Sequence, residues 1–241
     1  MGTGIVTYAR NRARPLVHWI RRGRDRILLR SVHFGGSTPL SSASGFDRGT
    51  PIDRFYIERF LAAHREDIHG RVLEIGEDKY SRRFGGRRVT RQDILHIDDS
   101  NSAATLVGDL SDPGLLPADT FDCIVLTQTL QYVFDVAAAL RNVRSALRPG
   151  GIALITFPGV APISIDDWQD RYYWRFTLPS VNRLLADIFG EGHYSATAGG
   201  NLLAATAFLH GAAVEEVGTA RLEPAMTSHA IVVMARAVRP E

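Results

Sequence analysis

The stretch "VLEIGEDKYSRRFGG", residues 72–86, decides the fold of this 241-residue chain. It opens with a largely apolar run that ends at Gly76, which is typical of a buried strand meeting a tight turn. A ligand-binding turn of this kind normally carries further glycines, because they let the backbone approach the ligand without a Cβ. Here Asp78 and Tyr80 follow, and the next glycines are Gly85 and Gly86. The sequence therefore predicts an α/β fold and leaves open whether its first turn still holds a ligand.

Strands and helices alternate along the rest of the chain. The predicted strands are residues 72–75, 88–97, 105–107, 121–127, 151–157 and 231–238, and the predicted helices are residues 51–64, 133–147 and 180–189. Because parallel strands need crossover connections, this alternation predicts a doubly wound, mostly parallel seven-stranded sheet with helices on both faces. We expect this α/β domain to occupy residues 45–241. An aromatic-rich insertion at residues 158–200 is expected to cover the carboxyl ends of the strands.

The composition is that of an ordinary globular protein, with 45% hydrophobic and 22% charged residues. No stretch approaches the roughly 18 unbroken apolar residues that suggest a membrane span. The single cysteine, Cys123, lies in an apolar run and is predicted to be a small core residue. A reducing, cytoplasmic location fits this cysteine content. No His, Cys or carboxylate cluster has metal-ligand spacing, so no metal is predicted.

Residues 1–44 are predicted to form a basic N-terminal arm and a linker. The first 30 residues carry eight arginines and one acid, a local net charge of +7 in a chain of net charge +2. Apolar residues recur among these arginines at roughly helical spacing, namely Leu16, Val17, Trp19, Ile20, Ile27 and Leu28. One interpretation is an amphipathic helix in peripheral contact with an anionic membrane through residues 1–30. The others are a solvated arm, a helix docked on this chain or on its copy in a homodimer, and an organellar transit sequence. No nucleic acid is expected as a partner, since no reader motif joins the arginines.

Ligands of doubly wound sheets bind beyond the carboxyl ends of the strands. The candidate residues at these ends are Glu74, Gly76, Tyr80, Asp93, Asp109, Leu110, Thr127 and Gln128, with Asp98 as the alternative to Asp93. An acid about 20 residues beyond the first turn is placed to accept hydrogen bonds from ribose hydroxyls. Asp93 falls 17 residues after Gly76 and is the first choice for this role. Asp109 is placed for an adenine amino group.

Five motifs carry a resemblance to a known family: "VLEIG" (72–76), "VTRQDIL" (89–95), "GDL" (108–110), "LPADTFDCIVLTQTLQYV" (116–133) and "LRNVRSALRPGGIALITFPG" (140–159). With them, residues 45–238 resemble class I S-adenosylmethionine-dependent methyltransferases. The last two motifs are the most specific, because they match the fourth strand and the helix and "PGG" turn that follow it. The resemblance implies S-adenosyl-L-methionine as the cofactor. It also implies methyl transfer to a small polar acceptor, expected to be a hydroxyl of a sugar or secondary metabolite.

Four further stretches resemble a bacterial subgroup associated with glycan or secondary-metabolite biosynthesis. They are "GFDRGTPIDRFYIERFL" (45–61), "YSRRFGG" (80–86), "YYWRFT" (172–177) and "NLLAATAFLHG" (201–211). The chain departs from the family at its E-x-G-x-G-x-G motif, where only Gly76 remains. S-adenosylmethionine has no pyrophosphate to wrap, and its cationic groups favour nearby acids such as Glu74, Glu77 or Asp78. We therefore expect the cofactor to bind. The alternatives are a non-catalytic scaffold on the same fold and an enzyme that uses the cofactor for non-methylating chemistry.

A hydroxyl acceptor usually needs a base, whereas positioning supplies much of the remaining rate acceleration. The candidate catalytic residues are His193, His96 and Asp53, and His33, His210 and Tyr56 are further candidates. The candidate acceptor-binding residues are Arg54, Tyr56, Tyr132, Arg171, Tyr173, Trp174 and Arg175, with Trp168, Tyr172 and Phe176 beside them. The arginines suit a phosphate or carboxylate on the acceptor. The alternative for the aromatic residues is a hydrophobic lid packed on the sheet.

Overall fold

The computed structural model describes residues 37–163 and 168–241. The predicted basic arm therefore lies almost entirely outside the described residues. The strands are β1 Gly70–Ile75, β2 Val89–His96, β3 Leu106–Val107, β4 Phe121–Thr127, β5 Leu147–Pro158, β6 Tyr194–Gly199 and β7 Val232–Val238. The α-helices are α1 Ile52–Ala63, α2 Val136–Ala146, α3 Leu178–Phe189, α4 Leu202–Leu209, α5 Val214–Val217 and α6 Thr219–Leu222. None of the described helices is long and apolar enough to cross a membrane.

The seven strands form one sheet in the order β3-β2-β1-β4-β5-β7-β6. The first five strands run parallel, and β7 pairs antiparallel with both β5 and β6. The chain order reverses between β1 and β4, which are neighbours in the sheet. At such a reversal the flanking connections leave on opposite faces, and a crevice opens beyond the carboxyl ends of the strands. The predicted fold class is confirmed.

Both faces of the sheet are buried, and alternate residues of each strand point to opposite faces. In β1, Leu73 packs into one hydrophobic cluster with residues of α2 and α3, whereas Val72 packs into the other cluster with residues of α1 and α4. Cys123 in β4 is fully buried, as predicted. Continuous burial explains why the central strands read as unbroken apolar runs.

The predicted insertion at residues 158–200 is too long. Helix α3 and strand β6 both lie within it and belong to the regular fold. Helix α3 begins behind a cap in which the Thr177 side chain accepts from the Ser180 backbone N–H. The irregular segment is confined to the connection between β5 and α3. Strand β6 and helix α4 were not predicted, because "YSATAG" alternates mostly small residues with little hydrophobic contrast and the mostly apolar "LLAATAFL" shows no helical period.

Candidate active site

A cleft of about 280 Å³ lies beyond the carboxyl ends of β1 to β4, at the reversal of strand order. Nine of the predicted site residues line this strand-end cleft: Gly76, His96, Asp109, Leu110, Thr127, Gln128, Tyr132, Trp168 and Arg171. Sequence reasoning missed several lining residues, namely Ile75, Leu95, Ile97, Gly108, Thr129 and Val133. Only their position could have identified them, since each lies within a few residues of a strand end. Their apolar or small side chains do not by themselves indicate a binding site.

Gly76 is the one glycine of the family motif that this chain retains, and its backbone requires glycine. Its φ is +84°, a left-handed conformation that other residues adopt only with strain. An added Cβ would meet no described atom within 4 Å, so the space around Gly76 is open. The backbone is held from both sides, because the Gly76 N–H donates to Leu95 O at 2.9 Å and Gly76 O accepts from Asn101 Nδ2 at 2.7 Å.

The turn after β1 is held by Glu74 in place of the missing glycines. The Glu74 carboxylate, only 3% exposed, accepts hydrogen bonds from Tyr80 N at 3.0 Å, Ser81 N at 2.7 Å and Ser81 Oγ at 2.6 Å. These bonds satisfy backbone donors that the chain cannot leave unpaired in the interior. A short π-helical turn, Ser81–Gly85, follows. Burial raises the pKa of Glu74, while the hydrogen bonds from Ser81 and Tyr80 oppose that rise.

The expectation that Glu74 and Tyr80 contact the cofactor is corrected. Both Glu74 oxygens accept bonds from the turn, and neither residue lines the cleft. The Tyr80 ring is buried and stacks on Phe84 with centroids 6.1 Å apart. Glu74 therefore shapes the cleft through the turn it holds.

Gln128, directly after β4, has a strained backbone and an unpaired side-chain amide. Its φ is +47°, which is uncommon for a residue other than glycine and clusters at functional sites. The backbone N–H donates to Thr156 O at 3.2 Å and to Thr156 Oγ1 at 3.1 Å, which fixes the conformation. The Nε2 atom is buried and has no hydrogen-bond partner among the described residues. A buried amide without a partner inside a cleft indicates a ligand acceptor that would meet it.

The choice of Asp93 as the ribose acid is wrong. Asp93 lies in the middle of β2, is 3% exposed and does not line the cleft. Its carboxylate pairs with Arg71, whose Nε donates to Oδ2 at 2.7 Å, and it also accepts from Thr105 Oγ1 at 3.2 Å. Strand β2 runs three residues beyond Asp93, to His96. The alternative acid, Asp98, is the first carboxylate past the strand end.

His96 and Asp109 line the cleft, and Asp98 pairs with His96 beside it. The His96 Nδ1 lies 3.0 Å from Asp98 Oδ1, and Asp98 also accepts from Ser100 N and Oγ. The hydrogen bonds from Ser100 lower the pKa of Asp98, so it carries a negative charge at neutral pH. Asp109 Oδ1 accepts from Ser111 N at 2.8 Å and Ser111 Oγ at 2.6 Å. These bonds orient both carboxylates beside the cleft.

A buried ion pair lies in the first turn of α1, next to the cleft. Asp53 is 7% exposed, and its Oδ2 lies 3.5 Å from Arg54 Nη1. The Arg54 Nη1 atom is buried and makes no hydrogen bond to a described residue. Burial raises the pKa of Asp53, and the Arg54 charge opposes that rise only in part. A carboxylate with a raised pKa beside a cleft is a candidate general base.

Three tyrosines lie near this ion pair, and one of them, Tyr132, lines the cleft. Tyr80 lies within electrostatic range of both Asp53 and Arg54, and burial raises its pKa. Tyr172 lies within electrostatic range of Asp53 and Tyr132, and burial raises its pKa to about 12. Tyr132 lines the cleft and contacts the edge of the Tyr172 ring, with centroids 5.5 Å apart. These five side chains form the Asp53 cluster: Asp53, Arg54, Tyr80, Tyr132 and Tyr172.

Five other predicted site residues lie away from the cleft. His193 precedes β6 and lies at the amino-terminal ends of the parallel strands, opposite the cleft, because β6 starts where the parallel strand β5 begins. Tyr56 is a core residue whose hydroxyl donates to Leu222 O at 2.7 Å. Tyr173 and Trp174 are exposed and pack against Phe134. Arg175 lines a separate groove. These residue types are suited to catalysis or acceptor binding, but the sequence does not reveal at which end of the sheet each residue lies.

The doubly wound sheet and its strand-end cleft are those of a Rossmann-like methyltransferase fold. A comparison with models of protein families agrees. A model described as a methyltransferase domain matches residues 37–187. The chain belongs to this methyltransferase family. Its methyl donor is S-adenosyl-L-methionine, as the sequence resemblance implies. The sequence matches no curated protein.

Two solved structures illustrate the fold. A SAM-dependent methyltransferase from Archaeoglobus fulgidus has a TM-score of 0.53 and 11% identity, over 77% of this chain and 94% of that chain. The [4+2]-cyclase SpnF has a TM-score of 0.50 and 15% identity, over 76% of this chain and 80% of that chain. At such identities the likeness concerns the fold alone, and the chemistry has to be argued from the site.

The residues of the strand-end cleft fit S-adenosylmethionine. The unpaired Gln128 amide can meet an acceptor atom of the adenosyl or methionyl group, and Asp98 and Asp109 provide acceptors for hydroxyl and amino donors. Leu110 and Ile97 supply apolar walls for a base. Arg171 lines the same cleft and suits a carboxylate. Gly76 leaves room at the turn without the later glycines.

Proposed function

We propose that the protein transfers the methyl group of S-adenosylmethionine to a hydroxyl of a small polar acceptor, a sugar or a secondary metabolite. The observation that carries this proposal is the buried Asp53 beside the cleft, with its raised pKa and, next to it, an Arg54 Nη1 atom that makes no hydrogen bond to a described residue. An amine acceptor can react as the free base, whereas a hydroxyl must lose a proton, for which a positioned carboxylate serves.

The cofactor would supply one piece of chemistry: an electrophilic methyl group that passes from its sulfonium sulfur to the acceptor oxygen and leaves S-adenosylhomocysteine. The protein supplies position and proton transfer. We assign Gln128, Asp98 and Asp109 to holding the donor. The acceptor would meet the Asp53 cluster on the other side of Tyr132.

Within the Asp53 cluster each group has a distinct task. Asp53 accepts the proton of the acceptor hydroxyl, and its burial keeps the carboxylate poorly solvated and hence basic. The Nη1 atom of Arg54, which is ion-paired with Asp53 but makes no hydrogen bond to a described residue, donates one to an acceptor oxygen or anionic group. The Tyr132 and Tyr172 rings stand at right angles and form an aromatic wall that excludes water from the reacting atoms.

Incubation with S-adenosylmethionine labelled in its methyl group tests this proposal. The acceptor panel contains alkyl glucosides, phenols and alkylamines of matched size, and mass spectrometry locates the label. We expect labelled methyl ethers on hydroxyl compounds and a rate that rises with pH as Asp53 loses its proton. Label on the amines alone would contradict the proposal of a hydroxyl acceptor. Donor binding without transfer to any panel member would support a scaffold.

A further inference from the structure

The chain has a second cavity at the same edge of the sheet as the strand-end cleft. Its volume is about 730 Å³, within the roughly 300–1,000 Å³ range of small-molecule pockets. Its walls come from the segment after β5, the start of α3, the end of α4 and the segment before β7. We name this cavity the apolar groove, after wall residues that include Val160, Ala161, Phe176, Leu178 and Leu209.

The sheet places the apolar groove directly beside the cleft. Strand β5 pairs with β4 up to Thr156 and Thr127, so the end of β5 lies next to Gln128 in the cleft. On its other side the end of β5 pairs with the start of β7, where Pro158 faces Val232. The cleft lies beyond the carboxyl ends of β1 to β4, and the groove lies beside it at the carboxyl end of the next strand, β5.

A chain of side-chain contacts connects the two cavities through the Asp53 cluster. Arg175 lines the groove, and its Nε donates to Ala161 O at 3.0 Å. The Arg175 guanidinium lies over the Tyr172 ring, 5.7 Å from its centroid, and Tyr172 contacts Tyr132 at the cleft. A molecule in the groove thus lies next to the groups we assign to acceptor chemistry.

The groove walls expose apolar surface. Val160 is 37% exposed and Leu209 is 46% exposed, although both are aliphatic. Exposed apolar side chains grouped in a concave site mark ligand or partner binding more often than isolated ones do. A bare sugar would leave this surface in contact with water, whereas an apolar substituent would cover it.

We infer that the acceptor is amphiphilic: its hydroxyl-bearing head meets the Asp53 cluster, and an apolar chain or ring system fills the groove. This inference rests on the proposed hydroxyl methyl transfer and narrows its substrate class. Proximity to the cleft, through Arg175, Tyr172 and Tyr132, and the volume of the groove favour a small molecule over a second protein chain as the occupant.

Titration with a series of alkyl β-D-glucosides tests the inference. The series runs from methyl to octyl glucoside below the concentrations at which micelles form, with saturating S-adenosylhomocysteine, so the readout requires no methyl transfer. Affinity should increase with chain length, by up to about fourfold for each fully buried CH₂. An affinity that does not change with chain length would overturn the inference.

Two substitutions on one helix provide the matched comparison. Leu209→Glu places a charge in the groove, whereas Leu202→Glu changes another exposed leucine of α4 (58% exposed, against 46% for Leu209) that does not line it. We expect Leu209→Glu to weaken octyl glucoside binding at least about tenfold, given the cost of placing a charge against an apolar chain. Leu202→Glu should change it less than about twofold. Equal losses in the two variants would overturn the inference, as would a wild-type dimer that Leu209→Glu dissociates.

The outcomes separate this inference from the proposed function. Chain-length-dependent binding without methyl ether formation would support the groove and contradict hydroxyl methylation. Methyl ether formation that is equally fast on methyl and octyl glucoside would support the proposed function and overturn the amphiphilic acceptor.

Discussion

Replacement of Asp53 with Asn should lower kcat by roughly 100-fold to 10,000-fold, the usual contribution of a positioned general base. The Asn side chain has almost the shape of Asp but accepts no proton at neutral pH. Asp53 does not line the strand-end cleft, so the affinity for S-adenosylhomocysteine should change less than about threefold. Methyl transfer to an alkyl glucoside measures the first quantity, and calorimetric titration measures the second.

The pH profile provides a second readout for Asp53. A base works when unprotonated, so activity should fall as pH decreases through the pKa of Asp53. Because burial raises that pKa, the fall should begin above the usual range of a carboxyl group. Asp53→Asn should abolish this limb of the profile.

Glu58→Gln is the control for Asp53→Asn. Glu58 lies on the same helix and pairs with Arg83 at 2.7 Å, and we assign it no part in the reaction. The Glu58→Gln variant should keep nearly wild-type kcat and pH dependence. If Asp53→Asn is as active as Glu58→Gln, Asp53 is not the base.

Replacement of Glu74 with Ala should destabilise the protein by about 3–5 kcal/mol. The change removes three hydrogen bonds to a carboxylate and leaves the buried N–H groups of Tyr80 and Ser81 without an acceptor. In a domain of this size such a loss lowers Tm by roughly 10 °C. Urea unfolding followed by circular dichroism measures the free energy directly.

The same substitution should also abolish measurable donor binding, because Glu74 holds the turn that begins at Gly76. Lys79→Ala is the control, since Lys79 is exposed in the same turn and its replacement should cost less than about 0.5 kcal/mol. A Glu74→Ala variant with the stability and donor affinity of Lys79→Ala would show that the turn does not depend on this carboxylate.

The sheet was predictable because its central strands are buried on both faces. Residues 72–75 and 121–127 are apolar enough to be recognised alone, and the structure places them in β1 and β4. Strand β6 was missed because it lies at the edge of the sheet and alternates small residues between half-buried and exposed positions. A strand with one solvated side carries little hydrophobic signal.

The candidate site was predictable only where chain position determines it. Gly76, Asp109 and Gln128 follow strand ends, and strand ends meet at one edge of a parallel sheet. Asp93 was chosen for its spacing of 17 residues from Gly76, although the predicted strand 88–97 already runs past it, and β2 indeed continues to His96. His193 was misplaced because the direction of β6 depends on its antiparallel pairing with β7, a long-range contact that no local pattern encodes.

The central claim is that the strand-end cleft binds the methyl donor although the later glycines of the first turn are absent. Calorimetric titration with S-adenosylhomocysteine tests it most directly, with Gln128→Ala and Gln92→Ala measured beside the wild type. Gln92 also has an unpaired amide atom but lies outside the cleft, so it controls for the loss of a buried amide. We predict saturable binding at one site, weakened about tenfold by Gln128→Ala and unchanged by Gln92→Ala. A folded wild-type protein that releases no heat and binds no donor would contradict the claim.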